Sequence, residues 1–445
     1  MKNTTTSLPT SSKKTKKKQA LKTPEIQSIS NYNNKNQFYP ISKNNIPKLR
    51  FNKFENNWNV YIFKDILDII SGYGFKMNEY SSNGVPLIKI NNIGYGNILI
   101  DDMDYLPEDY LEKYPNLVLN KNDILLALNR PITNNKLKIA LLKNEDVPSI
   151  LYQRVGKIIL KNDNLYYLFI YYLLQEKIFK FILKNSKGSD QPFISTNELK
   201  KIELKIPSLK EQKKIGNFLS IMDKKLFLME KKHSLYVDIK KYLLKNLFVH
   251  EDEKSFLRFK RYDDILQRVS LSEILEESKI KSKDDINKRI SVKLNLKGVV
   301  KRIPNTNEIE GATTQYLRKK GQFIYGKQNL YKGAFGIVPS NLDGYLSSSD
   351  IPSFDFIKLI DEMWLFYYLS DKDYYTKLER LSTGTGSKRI SPEDFLKIKI
   401  NIPSIEEQKE ISNMLKFFDH KIENIKKQIF LFSKFKKGLL QRMFC

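Results

Sequence analysis

Two stretches of the chain carry apolar residues at alternating steps of three and four over four heptads. In the second, the stripe reads Ile411, Leu415, Phe418, Ile422, Ile425, Ile429, Phe432, Phe435 and Leu439. At a constant offset of 196 residues the first reads Ile215, Leu219, Met222, Leu226, Met229, His233, Tyr236, Ile239 and Leu243. This spacing keeps one narrow apolar face on each helix, as in a coiled-coil pair. The inter-helix seam is expected from Leu219, Met222, Leu226 and Met229 against Leu415, Phe418, Ile422 and Ile425, with His233 as a tolerated polar residue. Both helices open alike. IPSLKEQKKI begins at Ile206 and IPSIEEQKEI at Ile402. Pro207 stops a preceding strand, and Ser208 and Ser404 take the N-cap position. Glu211 and Glu407 stand three residues on, the spacing of a capping box.

Ahead of each helix the pattern shortens. VPLIKI, DILLAL, LKIALL and VGKIIL read as strands in the first half, and ISVKLNLKGVV, GQFIYG and AFGIVP in the second. An apolar helix closes each segment, NLYYLFIYYLLQEKIFKFIL at 164–183 and DEMWLFYYLSDKDYYTKLERL at 361–381. NSKGSDQPFISTNELKKIELKIPS at 185–208 aligns with LSTGTGSKRISPEDFLKIKINIPS at 381–404, again offset by 196. The chain therefore reads as two tandem units, each running from mixed domain through apolar helix, Gly/Ser loop and strand to a long helix. The boundaries are a basic tail at 1–45 without helical or strand period, a mixed domain at 46–205, a helix at 206–253, a second mixed domain at 254–401 and a second helix at 402–445. The fold class is α+β, two mixed α/β domains separated by two long helices.

Composition sharpens the partner. With 445 residues and 41% hydrophobic content, two or three cored domains are expected. There are 77 Lys+Arg against 50 Asp+Glu, a net charge of +27. So basic a chain fits a nucleic-acid partner, although A+T-rich coding also raises Lys and Asn. KKTKKK at 13–18 fits a phosphate-touching arm, a nuclear import signal or a plain tail. Cys445 is the one cysteine, which excludes an internal disulfide and a Cys-rich zinc site and fits a reducing compartment. Three histidines (His233, His250 and His420) leave little for a metal, and none is expected. No apolar run approaches the ~20 residues of a membrane span, and the polar N-terminus is not a secretory signal.

Candidate contacts follow from residue chemistry. Gly384, Thr385, Gly386, Ser387, Lys388 and Arg389 form GTGSKR, a loop able to offer N–H groups and cations to a phosphate, or an ordinary turn. It lacks Walker A spacing. Ser186, Lys187 and Gly188 are its weaker counterpart. Arg130 and Arg154 suit guanine and Gln153 suits adenine, with ion pairing as the other reading. QYLRKKGQFIYGK contributes Tyr316, Arg318, Lys319, Lys320 and Lys327, a mixture suited to phosphate and base contact or to a β-hairpin. DDMD at 101–104 reads as a solvated loop. No Pro-Pro-Tyr methyltransferase motif, P-loop, HExxH or cofactor Gly loop is present, so recognition is expected rather than catalysis.

Taken in order, these motifs resemble the specificity subunit of type I restriction-modification enzymes over about residues 46–445. PKLRF with Trp58 is similar to the family's opening. NKNDILLALNRP with ILYQRVGKI resembles its first target recognition domain, and GQFIYGKQNLYKGAFGIVPSNLDGYLSSSDIPSFDF a common form of the second. The two IPS stretches resemble the starts of its two conserved helices. The resemblance implies an antiparallel helix pair with pseudo-twofold symmetry and two readers of a split double-stranded DNA site. It implies two docked methylation subunits and added restriction subunits. It also implies no cofactor on this chain, S-adenosylmethionine, ATP and Mg belonging to the partners, and a cytoplasmic location. The tail before Ile46 departs from the pattern, since members usually begin close to PKLRF. Two other readings stay open: an orphan or related-system subunit with a different catalytic partner, and a self-contained DNA methyltransferase or nuclease, against which the missing motifs stand.

Overall fold

The two heptad stretches fold as helices Leu209–Leu247 and Ile405–Met443 in the computed structural model, 39 residues each. At 1.5 Å per residue each is about 58 Å long. The structure describes residues 45–185, 194–248, 250, 257–305, 308–384 and 388–444, so the basic tail and its KKTKKK run lie outside the described residues.

The helices pair antiparallel. Lys240 meets Asp419 and Lys436 meets Asp223, and the offset of 196 maps one ion pair onto the other about a pseudo-twofold axis. Each aspartate also accepts a phenol hydrogen bond, Asp223 from Tyr172 (2.6 Å) and Asp419 from Tyr367 (2.7 Å). Each lysine lies over the same ring, 5.4 Å from Tyr172 and 5.2 Å from Tyr367. Burial first, and the neighbouring carboxylate second, hold both phenols well above the usual tyrosine range, so each stays a donor.

Burial along the seam is uneven, deep toward the helix starts and again at mid-helix Ile425. Leu219, Met222, Leu415 and Ile425 are buried, whereas Leu226, Met229, Phe418 and Ile422 are half-buried. Phe435, expected on the seam, is 57% exposed. A third helix covers each start. Tyr167–Asn185 lies along the first long helix and Glu362–Leu369 along the second. Between those zones the stripe is covered chiefly by the partner helix. At the far ends Leu439, Met443 and Phe444 enter the core of the first domain, and Phe248 enters that of the second, with Leu243, Leu244 and Leu247 packed against it.

Each domain stands on a two-stranded antiparallel ribbon, Asn59–Ile62 with Glu203–Ile206 and Gln267–Ser270 with Lys399–Ile402. The first domain's main sheet runs Leu67–Ser71, Val155–Leu160, Ile124–Ala127, Ile139–Leu141, Tyr95–Gly96. The second repeats its first four positions as Leu275–Ser278, Ser353–Phe356, Phe323–Tyr325, Phe335–Ile337. Ile124–Ala127 is buried on both faces, which is why it reads as an unbroken apolar run. Two sequence expectations need correction. The aromatic helix at 361–381 is broken into Glu362–Leu369, Lys372–Lys377 and a 3-10 turn, because Ser370 donates to Phe366 O and Asp371 caps a new helix by accepting from Asp373 N. QYLRKKGQFIYGK is not one hairpin: Gln315–Arg318 and Phe323–Tyr325 belong to different sheets.

The repeated IPS stretch is a joint. Ser208 and Ser404 do cap, accepting from Glu211 N (3.4 Å) and Glu407 N (3.5 Å). The glutamates do not close a capping box, because arginines from elsewhere take them. Glu211 accepts from Arg50 Nε and Nη2 (both 2.8 Å) and from Trp58 Nε1 (3.3 Å). Glu407 accepts from Arg258 Nε (2.9 Å) and Nη2 (2.8 Å). Gln212 and Gln408 receive the main-chain N–H of Tyr166 and Asp361 that starts each apolar helix, and donate back to Pro207 O and Pro403 O. The arginines come from a second repeat, LRF at 49–51 and 257–259. Leu49 N donates to Arg442 O (2.8 Å) and Leu257 N to Asn246 O (3.1 Å), so each arm is tied to the end of the other unit's long helix.

Candidate nucleic-acid interface

In both domains one corner of the main sheet gathers candidate residues. In the first, Leu128 follows strand Ile124–Ala127; its N–H donates to Arg154 O (3.0 Å) and its carbonyl accepts from Ile194 N (2.9 Å). In the second, Lys327 N donates to Asp350 O (3.0 Å) and Lys327 O accepts from Ile390 N (2.9 Å). The corner therefore joins Arg130, Gln153 and Arg154 in one domain and Lys327, Gly384, Lys388 and Arg389 in the other. Each Gly/Ser loop returns to the sheet there. Ser186, Lys187, Gly188, Thr385, Gly386 and Ser387 lie outside the described residues.

The two corners differ in readiness. Arg130 (φ 45°) and Arg154 (φ 64°) hold left-handed backbone, which costs a non-glycine residue about 1–2 kcal/mol. Both are exposed, and among the described residues neither guanidinium has an acidic partner. Gln153 is exposed beside them and donates to Tyr152 Oη (3.2 Å). In the second domain the cations are already engaged. Lys388 pairs with Glu379 (2.7 Å), which raises the ammonium above its ordinary range, and Arg389 pairs with Asp350 (3.2 Å). A phosphate there must displace a carboxylate.

Other candidates are dispersed or withdrawn. Lys319 and Lys320 are exposed but sit at the opposite end of strand Phe323–Tyr325 from Lys327. Tyr316 is half-buried beneath Arg318. Arg318 itself is 1% exposed and leaves the DNA-contact set. Its guanidinium donates to Ser347 Oγ (2.6 Å), Ser353 Oγ (2.9 Å), Ser278 O (3.0 Å) and Ile351 O (3.1 Å). Burial lowers it to about 10, so it stays charged at neutral pH and cross-links two sheets. Arg318→Ala is expected to cost about 3–5 kcal/mol through a cavity and unpaired acceptors. Lys319→Ala and Lys320→Ala are expected to change stability by less than about 0.5 kcal/mol. Thermal unfolding of the three variants checks this.

Among the described residues no His, Cys, Asp or Glu cluster could hold a metal ion, DDMD included, and no helix is long and apolar enough to cross a membrane. Sequence reasoning missed Arg50, Arg258, Asp223 and Asp419. The LRF repeat was visible for the arginines, and the offset of 196 for the aspartates.

Comparison with known proteins agrees with this geometry. Residues 55–235 and 267–430 match the family described as "Type I restriction modification DNA specificity domain". The type I restriction enzyme MjaVIII specificity subunit of Methanocaldococcus jannaschii is 40% identical over 213 residues, 48% of this chain and 50% of that one. That match spans about half the relative's length. The putative type I restriction enzyme MjaX specificity subunit of the same organism is 28% identical over 440 residues, 91% of this chain and 96% of that one. A crystal structure of a type I restriction-modification S subunit from M. genitalium shares the fold, with a TM-score of 0.56 at 17% identity over 90% of this chain and 99% of that one. With two matched regions at the two sheet-and-helix units, the chain belongs to the type I restriction-modification specificity-subunit family.

Proposed function

We propose that the chain places two independent DNA readers on one split site and leaves the chemistry to its partners. The observation that carries this is the pair of equivalent sheet corners, one in each unit, held by an antiparallel coil of 39-residue helices. Helices of about 58 Å exceed one turn of duplex, about 34–36 Å. The readers therefore engage separated half-sites with unread bases between. Arg130, Gln153 and Arg154 serve the first half-site, and Lys327, Lys388 and Arg389 the second. Methylation subunits, one for each pseudo-equivalent unit, bring S-adenosylmethionine and modify adenine. Restriction subunits bring ATP and Mg for cleavage. The assembly works in the cytoplasm, and this chain is not itself an enzyme.

Exchange of residues 46–205 for the matching segment of a relative tests the reading. Methylome sequencing of cells expressing the hybrid with its methylation subunits is expected to show one half-site changed and the other kept. A change in both halves would show that the units do not read independently.

A further inference from the structure

Between strands Ile124–Ala127 and Ile139–Leu141 the first domain inserts a small hairpin, Ile132–Thr133 paired with Lys136–Leu137. Asn134 (φ 51°) and Asn135 (φ 55°) form its turn, and paired left-handed residues match the twist of a tight hairpin. Pro131 and Leu137 are buried and fix its base, while Thr133, Asn134, Asn135 and Lys136 are all exposed. The tip is braced from outside. Tyr95 Oη and Thr133 Oγ1 share a hydrogen bond (2.7 Å), Asn134 Nδ2 donates to Tyr95 Oη (3.4 Å), and Lys136 Nζ lies 5.3 Å from the Tyr95 ring centre. The stretch NRPITNNKLK at 129–138 contains Arg130, Lys136 and Lys138 and no acid. Two residues before the hairpin begins stands Arg130, without an acidic partner among the described residues. The second domain has no such insertion: its equivalent connection closes with the 3-10 turn Leu330–Lys332 and left-handed Gly333.

We propose that this hairpin is the base-reading element of the first domain, its tip entering the major groove of the first half-site. This rests on the reading of the chain as a DNA specificity subunit. A major groove admits a two-stranded ribbon, and a carboxamide pairs bidentately with N6 and N7 of adenine. Asn134 and Asn135 therefore meet adenine, Arg130 and Lys136 take guanine or phosphate at the edge, and Tyr95 holds the tip in place before DNA arrives. An Asn-Asn turn is ordinary for a tight hairpin, but the Tyr95 brace and the left-handed Arg130 beside it, without an acidic partner among the described residues, are not required by the turn itself. Because the second domain lacks the insertion, the two half-sites are read by different devices on one scaffold.

The test replaces both turn residues by glycine, N134G with N135G, which keeps the left-handed turn and deletes both carboxamides. The complete complex with its methylation subunits is compared on duplexes altered in one half-site at a time. The half belonging to the first domain is identified beforehand by exchange of residues 46–205. The variant is expected to unfold at the unaltered temperature, to lose at least tenfold of its preference in that half and to keep full preference in the other. Tyr95→Phe is expected to give a smaller loss in the same half. Replacing adenine by 7-deazaadenine in that half is expected to weaken the parent complex and leave the glycine variant indifferent. Unchanged preference in the glycine variant, or loss in the other half instead, overturns the proposal. If the parent complex recognises no two-part site at all, the reading of the chain as a specificity subunit fails first and takes the hairpin with it.

Discussion

Four residues added to each long helix, after Met229 and after Ile425, widen the unread gap of the recognised site by one to three base pairs. Both points lie between the mirrored nodes: Met229 falls between Asp223 and Lys240, and Ile425 between Asp419 and Lys436. The insertions therefore lengthen only the two-helix middle. Both Tyr–Asp–Lys nodes and both domain cores keep their own residues. Four residues add about 6 Å of rise, close to two base pairs at ~3.4 Å each. They also turn the helix just over one full turn, so the apolar stripe stays nearly on its face. DNA twist and bending set the spread. Neither sheet corner is touched, so both half-sites stay as they were. Methylome sequencing reads the gap directly. An active variant with the original gap would mean that partner subunits, not these helices, set the distance.

Glu211→Ala is expected to destabilise the protein by about 3–5 kcal/mol, the usual cost of removing one partner from a buried ion pair. The carboxylate is 1% exposed, and its loss takes this anion from the Arg50 guanidinium, 11% exposed, which keeps Asn56 O, and takes the acceptor from the indole N–H of Trp58. Glu407→Ala is expected to cost less, about 1–3 kcal/mol. Its partner Arg258 is 27% exposed and regains water, and the position equivalent to Trp58 is Leu266. Denaturant unfolding of the two variants checks the order. An equal loss in both would mean that burial does not set the cost here. Because the same glutamate ties the arm to the long helix, the weaker variant is also expected to assemble poorly with methylation subunits in pull-down.

The long helices, the tandem order and most strands were legible because they rest on local periodicity. The seam at Leu219, Met222, Leu415 and Ile425 needed only the spacing of apolar residues. What was not legible depended on distant partners. Ser208 and Glu211 carry the letters of a capping box, yet an arginine 161 residues away claims the carboxylate. Arg318 looked like an exposed cation among Lys319 and Lys320, but strand alternation turned it inward onto three serines. Phe435 kept the seam's spacing and still is 57% exposed, although its neighbours Phe432 and Lys436 turn toward the first domain. At the interface, residue type pointed to Arg130, Gln153 and Arg154 individually. Their assembly at one corner with Ile194 came from sheet pairing, which no spacing in the sequence encodes. Nor did the sequence reveal that Lys388 and Arg389 already hold Glu379 and Asp350.

The hydrogen bond from Leu49 to Arg442 has its counterpart between Leu257 and Asn246. The chain runs continuously through only one of these joints; at the other, the Leu49–Arg442 hydrogen bond and the packing of Leu439, Met443 and Phe444 into the first domain's core join the units. As a circuit, the fold has no first unit. A polypeptide opened between 248 and 257 and sealed between 442 and 49 is expected to fold along the same path. A polypeptide of a single unit finds in a second copy the arm that its own long helix requires. Such a half-length chain is expected to close as a homodimer with two identical readers, and on the proposed function its target is expected to be a palindrome instead of an asymmetric two-part sequence.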